Sequence, residues 1–105
     1  MASERPYELT LAPEFEAEAD KASDWWAKHR PAAPHLFEDE LDAALLRISA
    51  RPEIGKRARS RKVGDARFVT LLRSGYLIFY RVDPVRREVQ VVHLRHGHRR
   101  PLKLR

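Results

Sequence analysis

The chain has no cysteine and a single methionine. Without cysteine there is no disulfide, no thiolate zinc ligand and no cysteine nucleophile. A small domain lacking disulfides suits a reducing cytoplasm, which is the expected location. No apolar run approaches the roughly 20 residues that cross a bilayer as a helix, so no membrane role is expected. The opening MASERPYELTL lacks the cationic and apolar regions of a signal peptide. Acidic residues are scarce in one half only. Residues 1–53 carry 6 Lys+Arg and 12 Asp+Glu, whereas residues 54–105 carry 15 and 3. The net charge of +6 is therefore an acidic half beside a strongly basic one. That polarity favours an anionic partner for the basic half, either nucleic acid or an acidic protein segment. A general preference for arginine would produce the same excess with no partner at all.

With 105 residues, 43% of them hydrophobic and 34% charged, the chain fits one soluble domain, residues 1–105, around one core. YELTLA alternates Tyr7, Leu9 and Leu11 with Glu8 and Thr10, the period of a half-buried strand. Pro13 suits the first turn of a helix, and Phe15, Ala19, Ala22 and Trp26 recur at helical spacing after it. Acidic residues from Glu14 to Asp20 and the basic run Lys28, His29, Arg30 complement the helix dipole. RPAAP breaks the chain. Pro34 can start a second helix with Phe37, Leu41, Ala44 or Leu45, and Ile48 on one face, ended by Pro52 and Gly55. Two helices joined so tightly are expected to form an antiparallel hairpin.

IGKRARSRKVGD has no periodicity and reads as a loop with, at most, a short extended segment. RFVTLLR, SG and YLIFYRV read as a β-hairpin, with YLIFY apolar on both faces and hence central. DPVRRE is a turn and VQVVHL a last strand. The expected class is α+β in the order β-α-α-β-β-β, a helical hairpin on a small, largely antiparallel sheet.

The chemistry concentrates near the C-terminal end. His93 and His96 lie an odd number of residues apart and should point to opposite faces of a strand, which argues against a shared metal. No metal or other cofactor is expected. Arg67 and Arg81 would face each other across the hairpin if its loop had three residues; a two-residue loop would break the pairing. Paired like charges destabilise a hairpin, so such a pair would invite an anion. Solvated arginines at a sheet edge are the plainer reading. Tyr76 and Tyr80 share one face and read as core residues with polar tips. Trp25 and Trp26 are adjacent on a helix and cannot both face the core. His96 and His98 beside arginines could move protons in metal-free RNA cleavage, or form only a cationic tail.

YELTLAPEFEAEADKASDWW, ARPEIGKR, RFVTLLRSGYLIFYRVD and VQVVHLRHGHRR together resemble the ParE/RelE toxin superfamily of bacterial toxin–antitoxin modules, also called plasmid stabilisation proteins. The most specific part is YLIFYRVD, followed by a valine-rich strand and the segment HGHR, and it is closer to the ParE branch. The resemblance implies a toxin held in a hetero-oligomer by a cognate antitoxin whose C-terminal segment wraps it. ParE-like members are DNA gyrase inhibitors without enzymatic activity. RelE-like members are metal-independent mRNA endonucleases acting on the ribosome. RelE-like enzymes commonly present lysines where this chain has Phe68 and Thr70, and an arginine where it has Leu77. They also commonly carry a tyrosine near the C-terminus, and none follows Tyr80. On the ParE-like reading, Arg67, Tyr80, Arg81, Arg95, His96, Arg99 and Arg100 are the candidates for contact with target or antitoxin. On the ribonuclease reading, Arg67, Arg81 and Arg99 would supply charge and His96 or His98 the proton. A DNA-binding module is a third class, but no helix-turn-helix pattern is visible.

Overall fold

The computed structural model describes residues 5–60 and 64–97. Strand β1 spans Glu8–Leu11, helix α1 Pro13–His29 and helix α2 Leu36–Ala50. A 3₁₀ turn follows at Pro52–Ile54, then β2 (Lys56–Ser60), β3 (Gly64–Thr70), β4 (Tyr76–Asp83) and β5 (Glu88–His96). The five strands lie in the order β1-β5-β4-β3-β2. Three pairings are antiparallel, and β1 runs parallel to β5. The expected class holds, with YLIFY central, but the sheet has one strand more than the sequence reading gave it.

The extra strand is Lys56–Ser60, from the stretch read as a loop. Edge strands tolerate and often prefer cations, which discourage pairing with other chains, so this strand carries no period-two apolar signal. A second correction concerns the hairpin. Leu71–Arg73 leaves the strand, and the last register pair is Thr70 with Leu77. The turn is held by Leu71 and Tyr76, and by Gly75 donating back to the Leu71 carbonyl at 2.7 Å. Gly75 takes a φ of 85°, open to glycine at little cost. From α2, the Glu40 carboxylate accepts the Arg73 and Ser74 N–H groups at 2.7 and 2.9 Å. Helix α2 itself starts at Leu36, two residues after the expected Pro34.

Both helices present the predicted faces to the sheet. Phe15, Ala22 and Trp26 of α1 and Phe37, Leu41, Ala44 and Ile48 of α2 are buried with Leu71, Ile78, Tyr80, Val89, Val91 and Leu94. Each large apolar side chain so buried contributes about 1.5–3 kcal/mol. The Trp26 indole donates to the Ala33 carbonyl at 2.8 Å, closing the link between the helices, and Ser23 donates to Glu38 across them. Strand β5 fills the core with Val89, Val91 and then Leu94, which breaks strict alternation. A register shift makes this possible: Phe79 pairs with His93 but Tyr80 with Val91, leaving Val92 as the extra residue of a bulge.

Candidate functional site

Tyr80 is fully buried on the helix-covered face of the sheet. Its hydroxyl donates to the Pro52 carbonyl at 2.7 Å and accepts the Gly55 N–H at 2.9 Å. Burial pushes the phenol above its ordinary value; the Gly55 N–H and the Arg67 charge pull it partly back. Tyr80 is therefore a neutral, doubly bonded anchor for the segment entering β2. A Cβ on Gly55 would lie 2.3 Å from the Tyr80 oxygen and 3.0 Å from the Arg67 Cβ, so a side chain there is incompatible with this approach. Arg67 donates to the Gly55 carbonyl at 2.8 Å and more weakly to that of Glu53 at 3.3 Å.

Arg67 pairs in register with Tyr80, not with Arg81. The four-residue turn shifts the hairpin by one position from the three-residue alternative, and one position moves a side chain to the other face. Arg81 pairs with Gln90 on the face away from Tyr80. The cross-strand arginine pair exists nonetheless, with a different partner. Arg57 of the unexpected strand β2 lies directly opposite Arg67. Both line a recess of about 370 Å³ with Tyr7, Pro52 and Val82.

The face of the sheet away from the helices carries the positions at which the two branches of the superfamily differ. Thr70 pairs with Leu77 and Leu77 with Arg95; Phe68 pairs with Phe79 and Phe79 with His93. The Phe68 and Phe79 rings meet at 5.8 Å between centroids, and both residues are half-buried. This face thus sets Phe68, Leu77 and Phe79 among Lys56, Arg81, His93 and Arg95.

His93 and His96 do fall on opposite faces. His96 pairs with Tyr76 and meets its ring edge-on at 4.8 Å; Tyr76 in turn packs on Phe37 at 5.0 Å. His93 stands 3.4 Å from the Glu18 carboxylate. Glu18 also accepts the Leu94 N–H at 2.9 Å, at the β5 edge left uncovered where β1 ends. Sequence reading missed Glu18, Glu40 and Arg57, since nothing local marks a carboxylate that caps a distant strand or turn. Of the two tryptophans, Trp26 is buried and Trp25 is 42% exposed. Arg67, Arg81 and His96 do not converge. Arg81 is on the opposite face, and His96 lies four residues along β4 from the Arg67 position, roughly 13 Å at strand spacing. His98, Arg99 and Arg100 lie outside the described residues. Among the described residues no group of three His, Asp or Glu side chains could hold a metal ion, and no helix is long and apolar enough to cross a membrane.

Three solved structures share this architecture. The chromosomal ParDE toxin–antitoxin system from P. aeruginosa matches with a TM-score of 0.70 at 17% identity, over 88% of this chain and 97% of that one. The toxin–antitoxin complex RelBE2 from Mycobacterium tuberculosis matches at 0.65 and 19%, over 90% and 94%. The isolated E. coli RelE toxin matches at 0.56 and 23%, over 90% and 88%. At these identities the likeness establishes the fold alone. No curated protein matches the sequence. The family model for the ParE toxin of the type II toxin–antitoxin system parDE matches residues 9–101, nearly the whole described fold and part of the basic end beyond it. The chain belongs to the ParE toxin family of type II toxin–antitoxin systems.

Proposed function

We propose that this toxin acts as a non-enzymatic inhibitor of DNA gyrase and is neutralised in a hetero-oligomer by a cognate antitoxin. One observation carries the reading. At Phe68, Thr70 and Leu77, where RelE-like ribonucleases commonly present cations, the chain has none; Lys56, Arg81 and Arg95 stand around these positions on the same face. A phosphate passing through a pentacovalent state gathers negative charge and needs several fixed donors around it; each missing donor costs about 2.7–4 kcal/mol of barrier. The separation of Arg67, Arg81 and His96 argues the same way. An aromatic pair framed by cations, as Phe68 and Phe79 are here, suits a protein target, where buried aromatic contacts supply affinity.

Lys56, Arg81 and Arg95 on that face keep the alternative, ribosome-dependent mRNA cleavage, open to test. Purified protein added to gyrase should abolish supercoiling and trap cleaved DNA complexes, while primer extension after induction should show intact messenger RNA. Codon-positioned cuts that disappear on Arg95→Ala or His96→Ala, with gyrase unaffected, would reverse the assignment. Growth arrest that persists when the antitoxin is co-expressed would contradict the neutralisation.

A further inference from the structure

Two arginines of like charge stand opposite each other where the 3₁₀ turn leads into β2. Arg57 of β2 and Arg67 of β3 are paired in register, so both side chains leave the same face, with Cβ atoms about 4.5–5.5 Å apart. Directly opposed like charges destabilise a strand pair. Among the described residues, neither guanidinium has a carboxylate within 4 Å. Glu53, on the rim of the recess, stands 3.8 Å from Arg51 instead, and Asp65 lies in register with Arg59. The Arg67 guanidinium is held in place. Its Nη1 donates to the Gly55 carbonyl at 2.8 Å and to that of Glu53 at 3.3 Å, which leaves Nε and Nη2 without an acceptor among the described residues. Arg57 is exposed and free to turn toward it.

We propose that the recess of about 370 Å³ lined by these two arginines binds a small phosphate monoester, with the phosphoryl group between the guanidiniums. The volume is that of a small-molecule site. Charge selects the phosphoryl group. Two guanidiniums are matched by two negative charges, and a monoester carries about −1.5 to −2 with three acceptor oxygens, where a carboxylate brings one charge and two. Arg67, already fixed by two carbonyls, loses little freedom on binding, and Arg57 closes from the facing strand. The walls select a compact apolar body. Pro52, Val82 and Pro84 offer aliphatic surface beside the arginines. They do not suit single-stranded nucleic acid, which needs an open ring on which bases stack. Tyr7 supplies the recess with its aromatic ring, and that ring carries the Arg87 guanidinium at 4.5 Å and is half-buried against the core. Arg67 and Val82 face the helices, so the recess is separate from the face that bears Phe68 and Phe79. The inference holds whether gyrase or mRNA is the toxin's target. Occupancy would also tie β2 to β3 and the 3₁₀ turn, so a bound ligand should stabilise the fold.

Calorimetric titration and thermal melts of the full chain test the site with four probes: phenyl phosphate, inorganic phosphate, benzoate and a short DNA duplex. Phenyl phosphate should bind one to one with half-saturation below about 1 mM and raise the melting temperature. Inorganic phosphate, which lacks the apolar body, should bind more weakly, and benzoate more weakly still. Arg57→Ala should weaken phenyl phosphate binding about tenfold, the effect of losing one charge-assisted hydrogen bond. Arg57 is exposed, so that variant should fold. Arg67→Ala should lower affinity at least as far, and its melt without ligand separates lost binding from the loosened Gly55 contact. Arg30→Ala, at the C-terminal end of α1, should leave binding unchanged. Half-saturation above about 1 mM, or equal binding by the wild type and Arg57→Ala, would overturn the proposal by showing an adventitious ion only. Benzoate binding as tightly as phenyl phosphate would overturn the choice of a phosphoryl group. A DNA duplex that binds more tightly than phenyl phosphate and depends on Arg57 would overturn the choice of a small ligand.

Discussion

The Gly55 N–H reaches the Tyr80 hydroxyl at 2.9 Å, and no side chain at position 55 could allow that approach. The contact joins the end of the helical layer to the central strand through residues 25 apart in sequence. Tyr80→Phe would remove the hydroxyl and leave the Gly55 N–H and the Pro52 carbonyl unpaired in a buried place. The expected loss is about 1–3 kcal/mol of unfolding free energy, measured by denaturant titration. Gly55→Ala should cost a comparable amount. Because both changes break one contact, the double variant should lose less than the sum of the two.

The same phenol sets a pH limit. Its folded pKa is raised above an unfolded value near 10, chiefly by burial. Where the unfolded chain has lost the proton and the folded chain retains it, stability falls as pH rises. The contribution is thus complete below pH 10 and is lost as pH climbs through the folded value. Wild-type stability should decline more steeply above pH 10 than that of Tyr80→Phe. Parallel slopes for the two proteins would show that Tyr80 does not govern this limb.

The adjacent tryptophans should behave very differently. Trp26→Ala empties a buried site and frees the Ala33 carbonyl, with an expected cost of about 3–5 kcal/mol. That is a large share of the roughly 5–15 kcal/mol available to a small domain. Trp25→Ala should stay within about 0.5 kcal/mol, as exposed substitutions do. Thermal melts of the two variants give the comparison.

Glu18→Ala should destabilise the β5 edge by about 1–3 kcal/mol, because the Leu94 N–H loses its acceptor. Hydrogen exchange at Leu94 should rise well above that at Val91, whose strand neighbour β1 remains in place. Uniform exchange along β5 would mean that the carboxylate does not protect this edge.

If the face that bears Phe68 and Phe79 meets the toxin's target, Phe68→Asp should relieve growth arrest while the domain still folds. Circular dichroism and a melt establish the fold; colony counts after induction establish the activity. Full toxicity in a folded Phe68→Asp protein would remove that face from the proposed mechanism.

Periodicity carried the two helices and four of the strands, because a side chain's face follows from its position within a regular element. Phe15, Ala22 and Trp26, and Phe37, Leu41 and Ile48, are buried as their spacing required. The family was legible too, from YLIFYRVD and the HGHR segment. The hairpin register was not. It depends on Glu40, a residue 33 or 34 positions away, accepting two N–H groups and winding Leu71–Gly75 into a turn. No local signal distinguishes that turn from a shorter one. Yet the choice moved Arg81 to the far face and set Arg67 against Tyr80 and Arg57. Strand β2 was hidden for a related reason. Its cations carry no alternating pattern, and it becomes a strand only because β3 offers it an edge to pair with. Amino-acid order decides which face of an element is apolar, since that is a local property of side chains. Which faces meet, and in what register, is decided by contacts between residues far apart in the chain, and it is these contacts that separated the arginines the sequence had suggested as neighbours.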